Sequence, residues 1–312
     1  MGLYMMSNNI HFFRVGLYIE GFRGVLFTGK LVKTIIIRVL PELGGFFQPS
    51  RSGYPKLIHV SPLYTRVGGR IRCVYSSIDC RGDTARCGGR PSQVVLNGDY
   101  WFYIGFSEKL LSHEKFLEAV MGLDDCFVFM DQRVCAVLSE LEYINMREAI
   151  LDTARRVLGS GKLKIVFSSP TMLRDPFKRT KHKSLIPTVF NIFSTPLYLM
   201  LHNTGSYSLR KYRRQLLILH KIFNEPYTTL KTVKLKWVVY KHRPEPTITG
   251  YMNLFINQDY LQYYGRYIDM EKYLGEILTY MAALGVGVGR ATGFGHVTVE
   301  PGQKKENAAE GK

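Results

Sequence analysis

Acidic residues are scarce in this 312-residue chain: 25 Asp plus Glu stand against 42 Lys plus Arg, a formal net charge of +17. An excess of that size points to a polyanionic partner, because the field steers phosphates and contact releases their counterions. Nucleic acid ranks above an anionic membrane. Long apolar runs are missing too. The stretches TIIIRVL (34–40) and TVFNIFSTPLYLMLHN (188–203) are too short or too interrupted to span a bilayer, so no membrane partner is expected. The opening MGLYMMSNNIHFF has neither a basic n-region nor a small-residue cleavage site, which leads us to expect an intracellular, cytoplasmic protein.

The five cysteines, Cys73, Cys80, Cys87, Cys126 and Cys135, form no CxxC pair and fit no zinc spacing, and no histidine stands in a metal-ligand pattern. We therefore expect no metal and no cofactor, and read the thiols as buried or idle. A disulfide between two of Cys73, Cys80 and Cys87 stays open for a hyperthermophilic source. Two phosphate-binding signatures are absent as well. The glycines of LGVGVGRATGFGHVTVE (284–300) follow a helical pattern and open a strand, the reverse of a dinucleotide fingerprint, and no Gly-Lys-Ser/Thr closes them as in a P-loop.

What is present is a repeated alternation of periods. HFFRVGLYIE (11–20) alternates like a strand, and TGKLVKTIIIRVLPEL (28–43) carries a helical stripe opening on Thr28 as a candidate cap. KLIHVSPLY (56–64) returns to strand, SQVVLNGDYWFYIGF (92–106) reads as a strand or bent hairpin, SEKLLSHEKFLEAVM (107–121) as a helix capped by Ser, and RVCAVLSELEYI (133–144) as a strand. Gly159 to Gly161 read as a boundary. The plan then recurs: strand 162–169, helical material over 187–223, strands 230–241 and 247–257, helix 270–284 and strand 294–300. This predicts an α+β protein of two tandem ferredoxin-like domains, 1–160 and 161–301, with a disordered tail at 302–312. The Gly- and Arg-rich segment 66–91 reads as an exposed hairpin.

The glycine-rich loop admits two readings. Its N–H groups can form an anion nest against an extended phosphate backbone, with Arg290 inside it as a charged contact, or the glycines can allow close packing against a neighbouring element. A tandem ferredoxin-like chain ending in GVGVGRATGFGHV resembles the CRISPR-associated precursor-RNA endonucleases, the sixth Cas protein family of the repeat-associated RNA-binding superfamily. YPKLIHVSPL (54–63), IVFSSPTML (165–173) and TITGYMNLFI resemble further strands of that family, in the same order. The resemblance implies metal-independent cleavage within the repeat of CRISPR precursor RNA: the 2′-hydroxyl attacks its own phosphate and leaves a 2′,3′-cyclic phosphate and a 5′-hydroxyl. The alternative it leaves open is a non-catalytic RNA-binding relative in a CRISPR effector complex.

Many members carry a histidine in or just after the first helix, and none lies between His11 and His59 here. The similarity narrows to an archaeal subset with lysines instead, and implies Lys30, Lys33 and Lys56 as the catalytic group. Lys30 and Lys33, three apart, share a helix face. Crowded ammonium groups lower one another's pKa, which suits a lysine to donate a proton while its neighbours stabilise phosphate charge. Strand alternation sends His59 away from Lys56, as a structural histidine. For RNA contact we expect Arg174, Lys178 and Arg179 in a basic loop, Lys234 and Lys236 on one strand face with Val233, Leu235 and Trp237 packed on the other, and Gly287, Gly289, Arg290, Gly293 and Gly295 in the glycine loop. CRISPR repeat RNA is the implied partner, with a homodimer and an effector complex left open.

Overall fold

The computed structural model describes residues 10–48, 56–80, 87–178 and 183–302. The first half contains β1 (Ile10–Gly24), α1 (Gly29–Val39), α2 (Gly44–Phe47), β2 (Ile58–Val60), β3 (Tyr64–Val67), β4 (Arg70–Cys73), β5 (Asp79–Cys80), β6 (Cys87–Gly88), β7 (Val94–Ser107), α3 (His113–Met121), β8 (Asp124–Phe129) and β9 (Gln132–Tyr143). Alternation along β1 buries Phe13, Val15, Leu17 and Ile19 in a core shared with Leu31, Val32 and Ile35 of α1 and Phe116 of α3. The strand order is β4-β3-β7-β1-β9-β8, with β2 also paired to β7. Stripped to β2, β7, β1 and β9, it is a ferredoxin-like sheet.

The second half contains α4 (Met146–Ser160), β10 (Lys162–Thr171), α5 (Val189–Asn203), α6 (Leu209–Ile222), β11 (Phe223–Asn224), α7 (Thr229–Thr232), β12 (Val233–Tyr240), β13 (Arg243–Ile256), α8 (Gln258–Gly265), α9 (Met270–Leu284) and β14 (Val297–Pro301). Its order is β11-β13-β10-β14, and β12 pairs with the other end of β13. The same ferredoxin-like order recurs, with the second strand position divided between β11 and β12. The protein is therefore α+β, with two ferredoxin-like units in tandem.

Several local expectations change. At the expected boundary, Ser160 is the last residue of α4, and Gly161, at φ 69°, closes the helix and leads directly into β10. Ile150, Ala154 and Val157 of α4 pack in the second core beside Leu163 and Leu274. Thr28 does not cap α1, because its hydroxyl donates to the Val74 carbonyl and accepts from the Leu63 amide at 3.0 Å. Ser112, not Ser107, caps α3, through the Lys115 amide. The first sheet gains β8, and segment 64–73 forms the β3–β4 hairpin. Four cysteines are not idle thiols: Cys126–Cys135 bridges β8 to β9, and Cys80–Cys87 bridges β5 to β6. Cys73 is the free thiol among the described residues, and burial raises its pKa. Residues 303–312 of the expected tail lie outside the described residues. No helix among those described is long and apolar enough to cross a membrane.

The two units meet through the outer face of the first sheet. Phe12 and Tyr103 stack at 5.6 Å between ring centroids, and Tyr103 stacks on His296 of the second unit at 4.8 Å. Gly105 admits the end of α9 so closely that a Cβ there would lie 2.0 Å from the Ala283 carbonyl oxygen. A bridging cluster of Phe27, Met172, Val238 and Phe294 completes the contact.

Candidate functional site

Lys30 and Lys33 lie in the first turns of α1, and the carbonyls at the end of α2 gather the second and third lysines. Lys33 Nζ donates to the Phe47 carbonyl at 3.2 Å, and Lys56 Nζ donates to the carbonyl of Gln48. Burial lowers the pKa of Lys33, and the charges of Lys241 and Lys30 lower it further. Burial also lowers that of Lys56, followed by the charges of Lys33 and Arg290. The three lysines expected from sequence are thus brought together.

Lys241 is the member that sequence reasoning missed. It sits with His242 in the β12–β13 turn, at φ 50° and 62°, the backbone of a two-residue I′ hairpin. Tyr-Lys-His-Arg lacks the Gly or Asn that advertises such a turn, so no local signal marks it. Packing brings it in: Val238 bridges Ser77, and Tyr240 meets Phe27 and Phe294 edge-on at 6.0 and 5.2 Å. The resulting cleft is lined by Lys30, Met130, Tyr240, Lys241 and His242.

The glycine loop underpins this cluster from below. Val288 donates its amide to the Met172 carbonyl at 2.8 Å, Val286 to Gly295 at 2.9 Å, Phe294 to Gly289 at 3.2 Å and Gly295 to Pro170 at 3.1 Å. Of the residues expected to face phosphate, the amide of Gly295 is thus already paired, and that of Gly293 donates to the Arg290 carbonyl at 3.4 Å. The glycines also serve close packing: Gly287, at φ 69°, would place a Cβ 2.2 Å from the Met172 carbonyl oxygen, and Gly293, at φ 102°, would place one 2.8 Å from the Cα of Gly29. Gly289 and Gly295 also have positive φ.

Arg290 differs most from its expected placement. Its side chain turns inward and is 9% exposed. It donates to the Leu284 carbonyl at 2.6 Å and to the Lys56 carbonyl at 2.9 Å. No carboxylate among the described residues pairs with it, and burial brings its pKa down to about 10. The carbonyl at the C-terminus of α9 supplies part of the missing negative field. Beneath it His59 is fully buried, with Nδ1 3.0 Å from the Arg290 carbonyl and Nε2 3.2 Å from His296 Nδ1. A carbonyl can only accept, so His59 Nδ1 carries its proton, its Nε2 is the acceptor, and His296 Nδ1 donates. Burial first, then the charges of His296 and Arg290, hold His59 well below the usual histidine pKa; burial holds His296 at about 3.

The remaining expected contacts lie apart. Lys234 and Lys236 are exposed on β12, but Leu235 on the other face is 50% exposed, so only Trp237 packs fully there. Leu235 instead lines an apolar groove with Ile186 and Leu230. Arg174 is exposed, Lys178 pairs with Asp175 at 3.4 Å, and Arg179 lies outside the described residues. His113 Nδ1 is 3.4 Å from His11 Nδ1, and His11 contacts the Glu108 carboxylate, a grouping the sequence did not suggest. No group of three or more His, Cys, Asp or Glu suited to a metal occurs among the described residues.

No family model and no curated protein matches the sequence. Solved structures do match by shape. A Cas6 product complex aligns with a TM-score of 0.60 at 14% identity, covering 94% of this chain and 100% of that one. A Cas6-related protein from Pyrococcus furiosus aligns at 0.54 with 11% identity, covering 94% and 100%. An RAMP protein that binds different RNA substrates aligns at 0.52 with 12% identity, covering 93% and 99%. At such identities the likeness establishes architecture alone: this chain has the Cas6-like fold.

Proposed function

We propose that the protein is a metal-independent endoribonuclease that cuts CRISPR precursor RNA within its repeat, in the manner of the archaeal subset that uses lysines. The observation that carries this reading is the convergence of Lys30, Lys33 and Lys56 with Lys241 from the second unit, on a Cas6-like fold. The 2′-hydroxyl gives its proton to solvent as its oxygen bonds to the adjacent phosphorus, the P–O5′ bond breaks, and the leaving 5′-oxygen takes one proton from a lysine ammonium, which solvent then restores. The products are a 2′,3′-cyclic phosphate and a 5′-hydroxyl. Lys33 and Lys56, whose pKa values are lowered, are the proton donors, while Lys30 and Lys241 meet the charge developing on the phosphorane oxygens. Positioned proton transfer contributes roughly 10²–10⁴-fold, and alignment for in-line attack supplies much of the rest. The glycine loop acts through placement, holding Lys56 by way of Arg290. Exposed Lys234, Lys236, Arg174 and Lys178 supply RNA contacts.

The test is incubation with the host's repeat RNA in excess EDTA, beside RNAs carrying one 2′-deoxy substitution at each candidate nucleotide. One deoxy position that abolishes a cut surviving EDTA supports the reading. RNA bound and never cut makes the protein a silent RNA-binding relative.

A further inference from the structure

A ferredoxin-like sheet has two faces, and helices cover only one. In the first unit the second face is occupied: Tyr103 lies against His296, and Trp101 is 9% exposed beneath the guanidinium of Arg14 at 5.1 Å. In the second unit it is not. Alternation along β13 sends Met252, Leu254 and Ile256 into the core and leaves Tyr251 and Phe255 each 38% exposed. The register sets Lys162 of β10 opposite Phe255 and Lys164 opposite Asn253, on the same face. Lys162 Nζ stands 5.5 Å from the centroid of Phe255, and Lys164 Nζ 5.3 Å from that of Tyr251. Two aromatic rings, each partly exposed, thus carry an ammonium group at their face, and Lys164 Nζ also pairs with the Glu300 carboxylate at 2.9 Å on the neighbouring strand.

The chain leaving Phe255 continues the pattern. Helix α8 contributes no buried residue, exposes Tyr260 and Tyr263, with Tyr267 exposed just beyond its end, and has Lys221 of α6 over Tyr260 at 5.4 Å. Leu261 and Tyr264 of this helix pack partly against the second core, and its other residues stay exposed. About 26 Å of strand, at 3.3 Å per residue, separates Arg243 beside the lysine cluster from Tyr251, so this surface is a different place on the molecule.

We infer that the uncovered face of the second sheet, with Tyr251, Phe255, Lys162 and Lys164, is a base-stacking platform for single-stranded RNA. The inference rests on the RNA-directed reading above and adds where unpaired nucleotides lie. Rings accept bases of any sequence, and the adjacent ammonium groups meet the phosphates between them. The charge selects the occupant: exposed aromatic rings under lysines, on a chain of net charge +17, complement an extended polyanion.

The experiment measures binding of a labelled oligouridine, which has no structure to be recognised by shape, to the full-length chain and to Tyr251→Ala, Phe255→Ala and the double variant. Each truncation is expected to weaken binding about 5- to 150-fold, the loss of one stacked base. Tyr251→Phe and Phe255→Tyr are expected to keep affinity within about twofold, whereas Tyr251→Leu is not. Lys162→Ala with Lys164→Ala is expected to flatten the salt dependence by about one to two phosphate contacts, the lower figure applying if Lys164 stays paired with Glu300 in the complex. Thermal melts confirm that these surface variants fold. Affinity unchanged in the double alanine variant, or retained by Tyr251→Leu, overturns the platform. Single-turnover cleavage of saturating repeat RNA is recorded in parallel. A wild type that never cuts removes the nuclease reading, while the oligouridine affinities still decide this one.

Discussion

Arg290 Nη2 donates to the backbone carbonyl of Lys56 at 2.9 Å, tying the glycine loop of the second unit to a lysine of the first. The contact is buried and unpaired by any carboxylate among the described residues, so its partners are two carbonyls that lose their donor together if Arg290 is truncated. Each buried group left without a partner costs about 1–3 kcal/mol. Arg290→Met is expected to lower the urea midpoint and to reduce RNA cleavage through misplacement of Lys56. Arg290→Lys keeps the charge but loses the fork geometry, and is expected to fall between the two. Wild-type stability in Arg290→Met would remove this role.

The lysine cluster makes a signed prediction. Lys241 lowers the pKa of Lys33 by repulsion, so Lys241→Ala raises it. If protonated Lys33 donates to the leaving oxygen, activity falls as pH rises through its pKa, and the alkaline limb moves to higher pH in Lys241→Ala. Lys33→Ala is expected to slow single-turnover cleavage about 10²- to 10⁴-fold with little change in RNA affinity. An alkaline limb that stays in place in Lys241→Ala would separate the two residues functionally.

The buried histidine pair predicts acid sensitivity. The folded-state pKa of His296 is depressed to about 3 from an ordinary 6.5, and that of His59 is depressed as well. Between those values the unfolded chain binds the proton that the folded chain refuses. Stability from the pair is fully present above the ordinary histidine value and is lost as pH falls toward the folded one. His296 alone contributes a slope of about 1.4 kcal/mol per pH unit in that window. His296→Gln, which keeps an amide donor for His59 Nε2, is expected to flatten the slope in denaturant titrations between mildly acidic and neutral pH.

Much of this architecture was legible because local signals agreed with tertiary demands. Helix α9 was expected at 270–284 and runs over those residues, capped by Asp269 through the Lys272 amide and closed at Gly285, with an apolar stripe between. Lys30 and Lys33 could be grouped by spacing, and Lys56 by resemblance. Lys241 could not, because its place depends on the β12–β13 hairpin docking across the two units, a relationship between residues some two hundred positions apart. The inward turn of Arg290 was equally hidden. A glycine-flanked arginine in sequence looks the same whether its guanidinium meets a phosphate or two backbone carbonyls. Cys80–Cys87 is one of the pairings the sequence leaves open, whereas Cys126–Cys135 is hidden because cross-strand pairing depends on register and β8 carries no clear strand signal.

Gly29 and Gly293 offer the most direct check of the glycine loop. A Cβ on Gly29, the first residue of α1, would stand 2.3 Å from the Thr292 carbonyl oxygen and 2.7 Å from the Cα of Gly293. Neither neighbour is a flexible side chain, so the loop must withdraw from the helix that carries Lys30 and Lys33. Forced overpacking of this kind costs typically about 1–3 kcal/mol. Gly44→Ala supplies the matched control, since Gly44 has helical φ and ψ and its nearest neighbour would be Ile37 Cγ2 at 3.9 Å. There the added methyl removes unfolded-chain entropy and is expected to leave stability equal or raised by about 0.4–1 kcal/mol. Gly29→Ala is expected to melt earlier and to cleave poorly while Gly44→Ala does neither. If both behave alike, the approach of the glycine loop to α1 does not set the geometry of the lysines.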